Sequence, residues 1–220
     1  TKKAGLINMT SFQLKIIAIV SMLFDHIGAV LFPEIIVFRI IGRLAFPLFA
    51  FLLTEGYRHT SNLKSYLIRL SIFAIISQYP FWEAFGYDAG LNIFFTLTIG
   101  LTALYLSEHY QSFLPFFILA ILADLIHADY GMFGIFLIYI IYHYKNNFKK
   151  MMIYLIALYS IIYLTGALTA EYGAIHYYIQ FFALFSFVFI ANYNGREGRK
   201  AKYLFYIFYP GHLLILSLIS

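Results

Sequence analysis

The chain has 220 residues, of which 62% are hydrophobic and 21% aromatic, only 11% are charged, and the formal net charge is +5. Such a composition excludes an ordinary soluble domain, because 15 basic and 10 acidic residues cannot cover the surface of a protein built from long apolar runs, and it predicts that a lipid bilayer is the solvent. The absence of cysteine excludes disulfides and thiolate metal ligands.

The apolar runs predict an all-α, polytopic membrane bundle of about nine transmembrane helices. In chain order, the runs lie near residues 12–32, 36–57, 64–82, 92–109, 113–127, 131–144, 150–168, 174–191 and 203–219. We treat residues 1 to 8 as a candidate cloning remnant. Residues 9–220 are expected to form a single transmembrane domain, because no internal repeat or long linker divides them.

Basic residues cluster in loops that would all lie on one side of the membrane. The three basic loops are Arg58–Lys64, Lys145–Lys150 and Asn194–Lys202, and most acidic loop residues lie in the alternate loops. Because Lys and Arg favour cytoplasmic loops, this pattern predicts a cytoplasmic N-terminus. Arg39 and Arg43 depart from it, since they fall on the extracytoplasmic half of the second run.

The first run places ionisable groups inside an apolar segment, LKIIAIVSMLFDHIGAVLF. On a helix, Lys15 and His26 lie about 16 Å apart along the axis and about 20° apart around it, so they share one face. Lys15 at the cytoplasmic mouth would hold the phosphates of a cofactor while His26 meets its thioester. The alternative is a lysine that snorkels to the interface and a histidine satisfied by a neighbouring helix.

Arg39 and Arg43 are four residues apart, so their side chains face the same way on a helix. Two unpaired guanidinium groups in hydrocarbon are costly, so they need a water-filled cavity or carboxylates such as Asp25 and Asp124. Asp25 points about 100° away from His26 and is therefore expected to pair with another helix. Two interpretations stay open: an ion-pair network that fixes packing, or an anion or carbonyl clamp beside a reaction centre.

The segment ADLIHADYG contains Asp124, His127 and Asp129. Metal sites need three or four converging ligands, and these residues do not follow HExxH or a comparable spacing. No metal is therefore expected, and the carboxylates are predicted to partner the arginines.

Two segments near the C-terminus are further candidates. Pro210 inside the last run predicts a broken helix that lines a cavity, where His212 would join His26, although a structural histidine is an equal alternative. The segment YNGREGRK, with Asn194 and Arg199, is a basic loop where nucleotide phosphates would approach. Membrane topology alone would also explain its cations.

Together these segments resemble a known family. The phrases that carry the resemblance, in order, are LKIIAIVSMLFDHIG, FRIIGRLAFPLFAFLLTEGYRHT, LNIFFTLTIGLTALYL, ADYGMFG, YNGREG and YPGHLL. They are similar, across nearly the whole chain from Leu14, to the TraX family, named for the F-pilin acetylation protein. The pair Lys15 and His26 also resembles the Arg/Lys-x10-His pattern of the wider transmembrane acyltransferases, including the acyltransferase-3 group.

The resemblance implies an enzyme of the bacterial cytoplasmic membrane that moves an acetyl group from cytoplasmic acetyl-CoA to an extracytoplasmic amine or hydroxyl. The acceptor would be a pilin-like peptide N-terminus or a glycan. His26 inherits the catalytic role, and Lys15 and Arg69 inherit contacts to CoA. The lipid bilayer is an expected partner, nucleic acid is not, and the oligomeric state is open. The matching positions at Arg39 and Arg43 carry no inherited role, but either would be a donor to the thioester oxyanion.

The competing hypothesis is a proton-coupled small-molecule transporter. Its relay near the bilayer midplane would consist of five ionisable residues: Asp25, His26, Arg39, Arg43 and Asp124. A broken helix in the last run would suit such a relay, whereas the missing inverted repeat and the spacing of Lys15 and His26 speak for the acyltransferase. A third hypothesis is a scaffold in which the buried charges only fix packing.

Overall fold

The computed structural model describes residues 8–170, 173–201 and 203–219. The candidate remnant therefore lies outside the described residues, apart from Asn8. Within the described residues there are nine helices and no strand. These helices are α1 Ser11–Val30, α2 Ile36–His59, α3 Leu63–Phe85, α4 Ile93–His109, α5 Leu114–Leu125, α6 Gly131–Tyr144, α7 Phe148–Thr169, α8 Ile175–Ala191 and α9 Leu204–Ile219. The predicted all-α class and the predicted runs are confirmed.

Polar residues at the ends of the apolar runs decide where several helices begin. The hydroxyl of Thr10 accepts a hydrogen bond from the Gln13 backbone N–H, and the Thr10 N–H donates to the Gln13 side chain at 2.9 Å, which forms a capping box for α1. The side chains of Asn62, Asn92 and Asn147 accept from the first turns of α3, α4 and α7. Each cap satisfies a backbone N–H that has no partner within its own helix.

Three helices are long and apolar enough to cross a membrane: α1, α2 and α7. Four others are apolar but shorter, namely α5, α6, α8 and α9. A membrane-spanning role for all nine helices, and the side on which the N-terminus lies, stay predictions.

Three of the helices contain an irregular stretch. The helical pattern of α2 is interrupted at Arg43 and Leu44, α7 contains a π-helical turn at Ser160–Leu164, and part of α8, Ile179–Phe185, is a 3-10 helix. Irregular turns of this kind re-aim side chains and are frequent at functional sites. Two of them, in α2 and α8, contribute residues to the site described below.

The chain forms two compact units. The first contains α1, α2 up to Leu52, α7, α8 and the following segment up to Phe205; within it, α1 packs along the start of α2, and α8 packs against α2 and α7. The second contains the end of α2, helices α3 to α6 and α9 from Tyr206; within it, α4 packs against α3, α5 and α6 around the fully buried Phe116 and Ile135. A single transmembrane domain stays a prediction.

Candidate functional site

The centre of the first unit is a carboxylate that contacts two arginines. The Arg39 Nη1 lies 3.0 Å from the Asp25 Oδ1, and the Arg43 Nη2 donates to the same oxygen. Arg39 also donates to the Asp25 carbonyl at 3.0 Å, and Arg43 donates through Nη1 to the Gln180 Oε1 at 3.3 Å. The prediction that Asp25 pairs with another helix is confirmed, because both arginines lie on α2.

The interrupted turn of α2 places the two guanidinium groups on the same acceptor. Arg43 ends the first helical segment of α2, and its Nε donates to the Arg39 carbonyl at 3.1 Å. The side chain of Arg43 is 7% exposed, that of Asp25 15% and that of Arg39 29%. Arg39 is therefore the cation of this centre that a bound molecule would reach most easily.

A glycine allows α1 and α2 to approach this closely. A Cβ added to Gly42 would overlap with the Cβ, Cγ and Oδ1 of Asp25, which belong to a residue fixed by two ion pairs. The sequence places glycine here because a larger side chain would push the carboxylate away from the arginines.

We expect Gly42→Ala to destabilise the protein by about 1 to 3 kcal/mol, because the new methyl group must displace Asp25 or separate the two helices. Thermal unfolding of the detergent-purified protein measures the change. Gly211→Ala is the comparison, since nothing lies within 4 Å of a Cβ added to Gly211 and its φ is not positive. Equal melting temperatures for Gly42→Ala and the unsubstituted protein would contradict the tight approach.

His26 and Lys15 lie on one uninterrupted helix. Because α1 is helical from Ser11 to Val30, the predicted separation of about 16 Å along one face applies. His26 is half-buried and directly follows Asp25 in α1. Lys15 is half-buried too, and its Nζ donates to the Ala201 carbonyl at 3.2 Å, in the basic loop after α8.

The basic loop after α8 folds over the start of α1. The backbone N–H groups of Ser11 and Phe12 donate to the carbonyls of Arg196 and Glu197 at 2.9 and 3.0 Å. These bonds pair N–H groups at the start of α1 that have no partner within the helix. The same groups are therefore not available to a ligand. An anion at this end of the first unit would therefore contact the basic side chains of the loop.

The candidate residues in that loop have different surroundings. The side chain of Asn194 accepts a hydrogen bond from the Arg196 N–H at 2.9 Å, which stabilises the turn that contains Gly195. Arg199 is exposed, as are Arg196 and Lys200. The hydrogen bond of Asn194 stabilises the local turn. A role of Asn194 or Arg199 in ligand binding stays a prediction.

Arg69 belongs to the second unit, on α3. Its guanidinium carbon lies 5.1 Å from the ring centre of Tyr66 and 5.4 Å from that of Tyr206. Stacking on aromatic rings holds a cation in place in apolar surroundings, and this interaction is modestly favourable. The predicted contact of Arg69 with CoA stays a prediction.

The predicted break in the last helix is wrong. Pro210 lies inside α9, yet the helix runs on to Ile219. His212 is 6% exposed, and its Nδ1 hydrogen-bonds the Phe208 carbonyl one turn earlier at 2.8 Å. This contact with its own helix supports the structural interpretation of His212, and its role in cofactor binding stays a prediction.

Asp124 lies near the end of α5, also in the second unit. Its Oδ1 accepts a hydrogen bond from the Met132 N–H at 2.7 Å, and so it satisfies a free donor in the first turn of α6. The observed contact makes Asp124 a helix cap. Its place among the catalytic residues and its expected pairing with the arginines stay predictions.

Sequence reasoning missed two polar residues that the fold brings into contact with charges. Gln180 lies in the 3-10 stretch of α8 and contacts Arg43, and Glu55 of α2 is 5% exposed and pairs with Lys145. The signal for Glu55 was available, since a carboxylate inside an apolar run must find a cation. Gln180 gave a weaker signal, because an uncharged amide does not demand a specific partner.

Comparison with known proteins identifies the family. The family model described as TraX protein matches residues 11–220. The chain belongs to the TraX protein family. A probable fimbrial assembly protein of Dichelobacter nodosus, FimC of serogroup H1, is 30% identical over 236 residues, which cover 96% of this chain and 95% of that protein. An uncharacterized protein of Rickettsia prowazekii is 35% identical over 100 residues, 44% of this chain and 38% of that protein.

Membership of the TraX family confirms the resemblance found in the sequence. No solved structure matches the chain. The link to the acyltransferase-3 group stays a prediction, as do acetyl-CoA and the acceptor. The TraX match does include α1 with Lys15 and His26, α2 with both arginines and the basic loop after α8.

Proposed function

We propose that the protein is a membrane-embedded acetyltransferase that takes the acetyl group of cytoplasmic acetyl-CoA and passes it to an extracytoplasmic amine or hydroxyl. One observation carries the proposal: α1 holds Lys15 against the basic loop at one end and places His26, directly after the Asp25 that pairs with both arginines, about 16 Å further on. TraX membership supports the acetyl group, and the fimbrial relative supports a pilin-like peptide as the acceptor. A glycan is the other acceptor class.

Helix composition supports a membrane location. Three helices are long and apolar enough to span a bilayer, and the basic loops fall on one side when the N-terminus is cytoplasmic. In this orientation the loop after α8 faces the cytoplasm, where acetyl-CoA is made. We assign the protein to the bacterial cytoplasmic membrane.

The basic end of the first unit suits the phosphates of CoA. Arg196, Arg199 and Lys200 are exposed in one loop, and Lys15 contacts the carbonyl of Ala201 in the same loop. Cations on a flexible stem pair readily with phosphate oxygens. These residues would hold the nucleotide while the acyl arm runs along α1 toward His26.

At the reaction centre, an uncharged His26 would accept the proton of the attacking amine or hydroxyl through a ring nitrogen. The new bond joins the acceptor to the thioester carbonyl carbon, the carbon–sulfur bond breaks, and His26 returns the proton to the leaving thiolate. Arg39, the more exposed arginine, would donate to the carbonyl oxygen as negative charge develops there. Asp25 keeps both arginines in place throughout.

We expect Lys15→Ala to weaken acetyl-CoA binding about tenfold or more, because it removes a charge-assisted contact to a phosphate. Equilibrium binding to the detergent-purified protein measures the affinity. Lys150→Ala, which removes an exposed lysine from the first turn of α7, should bind as the unsubstituted protein does. Unchanged affinity in Lys15→Ala would refute the assigned phosphate contact.

The same measurement decides between the two functional classes. If the unsubstituted protein does not bind acetyl-CoA at millimolar concentration, the acetyltransferase proposal fails and the proton-coupled transporter becomes the better hypothesis. The continuous α9 already removes one feature that favoured a transporter, namely a broken helix at Pro210.

A further inference from the structure

Arg43 is held by three helices of the first unit. Its Nε donates to the Arg39 carbonyl of its own helix at 3.1 Å, its Nη2 donates to the Oδ1 of Asp25 on α1, and its Nη1 donates to the Oε1 of Gln180 on α8 at 3.3 Å. The donors of a guanidinium group lie on three nitrogens, so each nitrogen of Arg43 contacts the protein. With 7% of its side chain exposed, Arg43 connects α1, α2 and α8.

Gln180 is the uncharged acceptor in this set. An amide oxygen accepts a hydrogen bond without a negative charge, whereas a carboxylate would pair with the guanidinium and offset part of its positive charge. Because arginine only donates, the contact also decides which atom of the amide faces Arg43, namely Oε1. Gln180 therefore holds Arg43 in position and adds no negative charge to the centre that Asp25 forms with both arginines.

Buried apolar neighbours keep the backbone of Gln180 in position. Ile179 and Ala183 of the same 3-10 stretch are each 3% exposed. The ring of Phe181 lies 6.1 Å from that of Tyr159, a buried residue of α7. The stretch also packs against the first part of α2. A side chain that acts through its position needs this kind of packed support.

We propose that Gln180 is a positioning residue for acetyl transfer, which holds Arg43 and, through Asp25, sets the position of the Arg39 guanidinium. Both arginines contact the Oδ1 of Asp25, so a shift of Arg43 changes the contact that Arg39 makes. Arg39 is the donor assigned to the thioester oxygen. The inference rests on the proposed function, because it concerns a residue that assists that reaction.

An uncharged residue is needed at position 180 because the reaction develops negative charge on the thioester oxygen. A carboxylate there would pair with Arg43, compete with Asp25 for it and oppose the developing charge. An apolar residue would take away the acceptor that Nη1 of Arg43 now contacts. Glutamine avoids both effects.

Two substitutions of similar size separate these effects. Gln180→Glu retains an oxygen for Arg43 but adds a negative charge, and Gln180→Met removes the acceptor and adds no charge. We expect Gln180→Glu to keep or raise the melting temperature, because an ion pair replaces a hydrogen bond to a neutral amide, and yet to lower kcat about tenfold or more. Gln180→Met should lower both the melting temperature and kcat, because a hydrogen bond to a charged group is lost.

The measurement is the transfer of labelled acetyl groups from acetyl-CoA to peptides with a free N-terminal amine in membrane vesicles. Melting temperature and acetyl-CoA affinity are determined on the same variants in detergent. Gln111→Glu is the matched control, since it makes the same chemical change at an exposed position after α4 and should alter none of the three quantities. Acetyl-CoA affinity should also stay unchanged in both Gln180 variants, because the phosphates are assigned to the basic loop.

A purely structural role of Gln180 predicts that activity follows the melting temperature. Gln180→Glu with the stability and the kcat of the unsubstituted protein would therefore overturn the positioning role and leave the proposed function standing. Acetyl-CoA affinity that falls in parallel with kcat would overturn it too, since the effect would then lie in donor binding. Should Gln180→Glu fail to fold, full kcat in a folded Gln180→Met protein would overturn the role. An unsubstituted protein that transfers no acetyl group would refute the proposed function and this role with it.

Discussion

Substitution of His26 by alanine should lower acetyl transfer by about two to four orders of magnitude, because a positioned general base contributes that much to a proton-transfer step. The half-buried His26 directly follows Asp25, which pairs with both arginines, while Lys15 is about 16 Å away on α1 at the basic loop. Binding and chemistry are thus assigned to opposite ends of one helix. We therefore expect His26→Ala to bind acetyl-CoA with nearly unchanged affinity.

The measurement is the transfer of labelled acetyl groups from acetyl-CoA to peptides with a free N-terminal amine, in membrane vesicles, together with equilibrium binding. His143→Gln is the control, since His143 is an exposed histidine on α6 and its loss should change neither quantity. Added imidazole should restore part of the activity of His26→Ala, which a purely structural loss would not allow. Turnover in His26→Ala equal to that of the unsubstituted protein would remove His26 from the mechanism.

The helices could be predicted from the sequence because local chemistry decides where they begin and end. The predicted run 131–144 coincides with α6, and the other boundaries differ from the structure by only a few residues. Several apolar runs begin at polar caps such as Thr10, Asn62 and Asn147, which satisfy backbone donors whatever the tertiary arrangement. No knowledge of helix packing was needed.

The ion-pair centre was predictable for a different reason. Two guanidinium groups inside apolar segments must find a carboxylate, and Asp25 was one of few available. Its second contact, between Arg43 and Gln180, was not predictable, because it depends on α8 packing against α2 and on the 3-10 stretch of α8. Long-range pairing of uncharged groups leaves little trace in a single sequence.

Local backbone demands explain the remaining differences. Asp124 caps α6 through Met132, and Asn194 closes a turn onto Arg196, two contacts that polar side chains near helix ends make without any function. Pro210 is accommodated inside α9 rather than breaking it. Such residues stand out as polar or helix-breaking in an apolar sequence, and only the structure separates them from residues that face a reaction centre.

Loss of the central carboxylate is the second large effect that we expect. Asp25→Asn leaves Arg39 and Arg43 without the anion that both contact, in a site where the three side chains are between 7% and 29% exposed. Removing one partner of a buried ion pair typically costs about 3 to 5 kcal/mol, because the remaining charge is desolvated and uncompensated. A fall of roughly 6 to 20 °C in Tm should follow for a chain of this size.

Thermal unfolding in detergent measures this cost, with Asp88→Asn as the control, because Asp88 is an exposed carboxylate in the loop after α3. The triple variant Asp25→Asn, Arg39→Gln, Arg43→Gln separates the two contributions. If unpaired charge causes the loss, neutralising all three groups should recover at least half of the Tm, because a neutral site has no buried charge to compensate. The triple variant should still lack transferase activity, since the donor to the thioester oxygen is gone. A Tm for Asp25→Asn equal to that of Asp88→Asn would show that the arginines do not depend on Asp25.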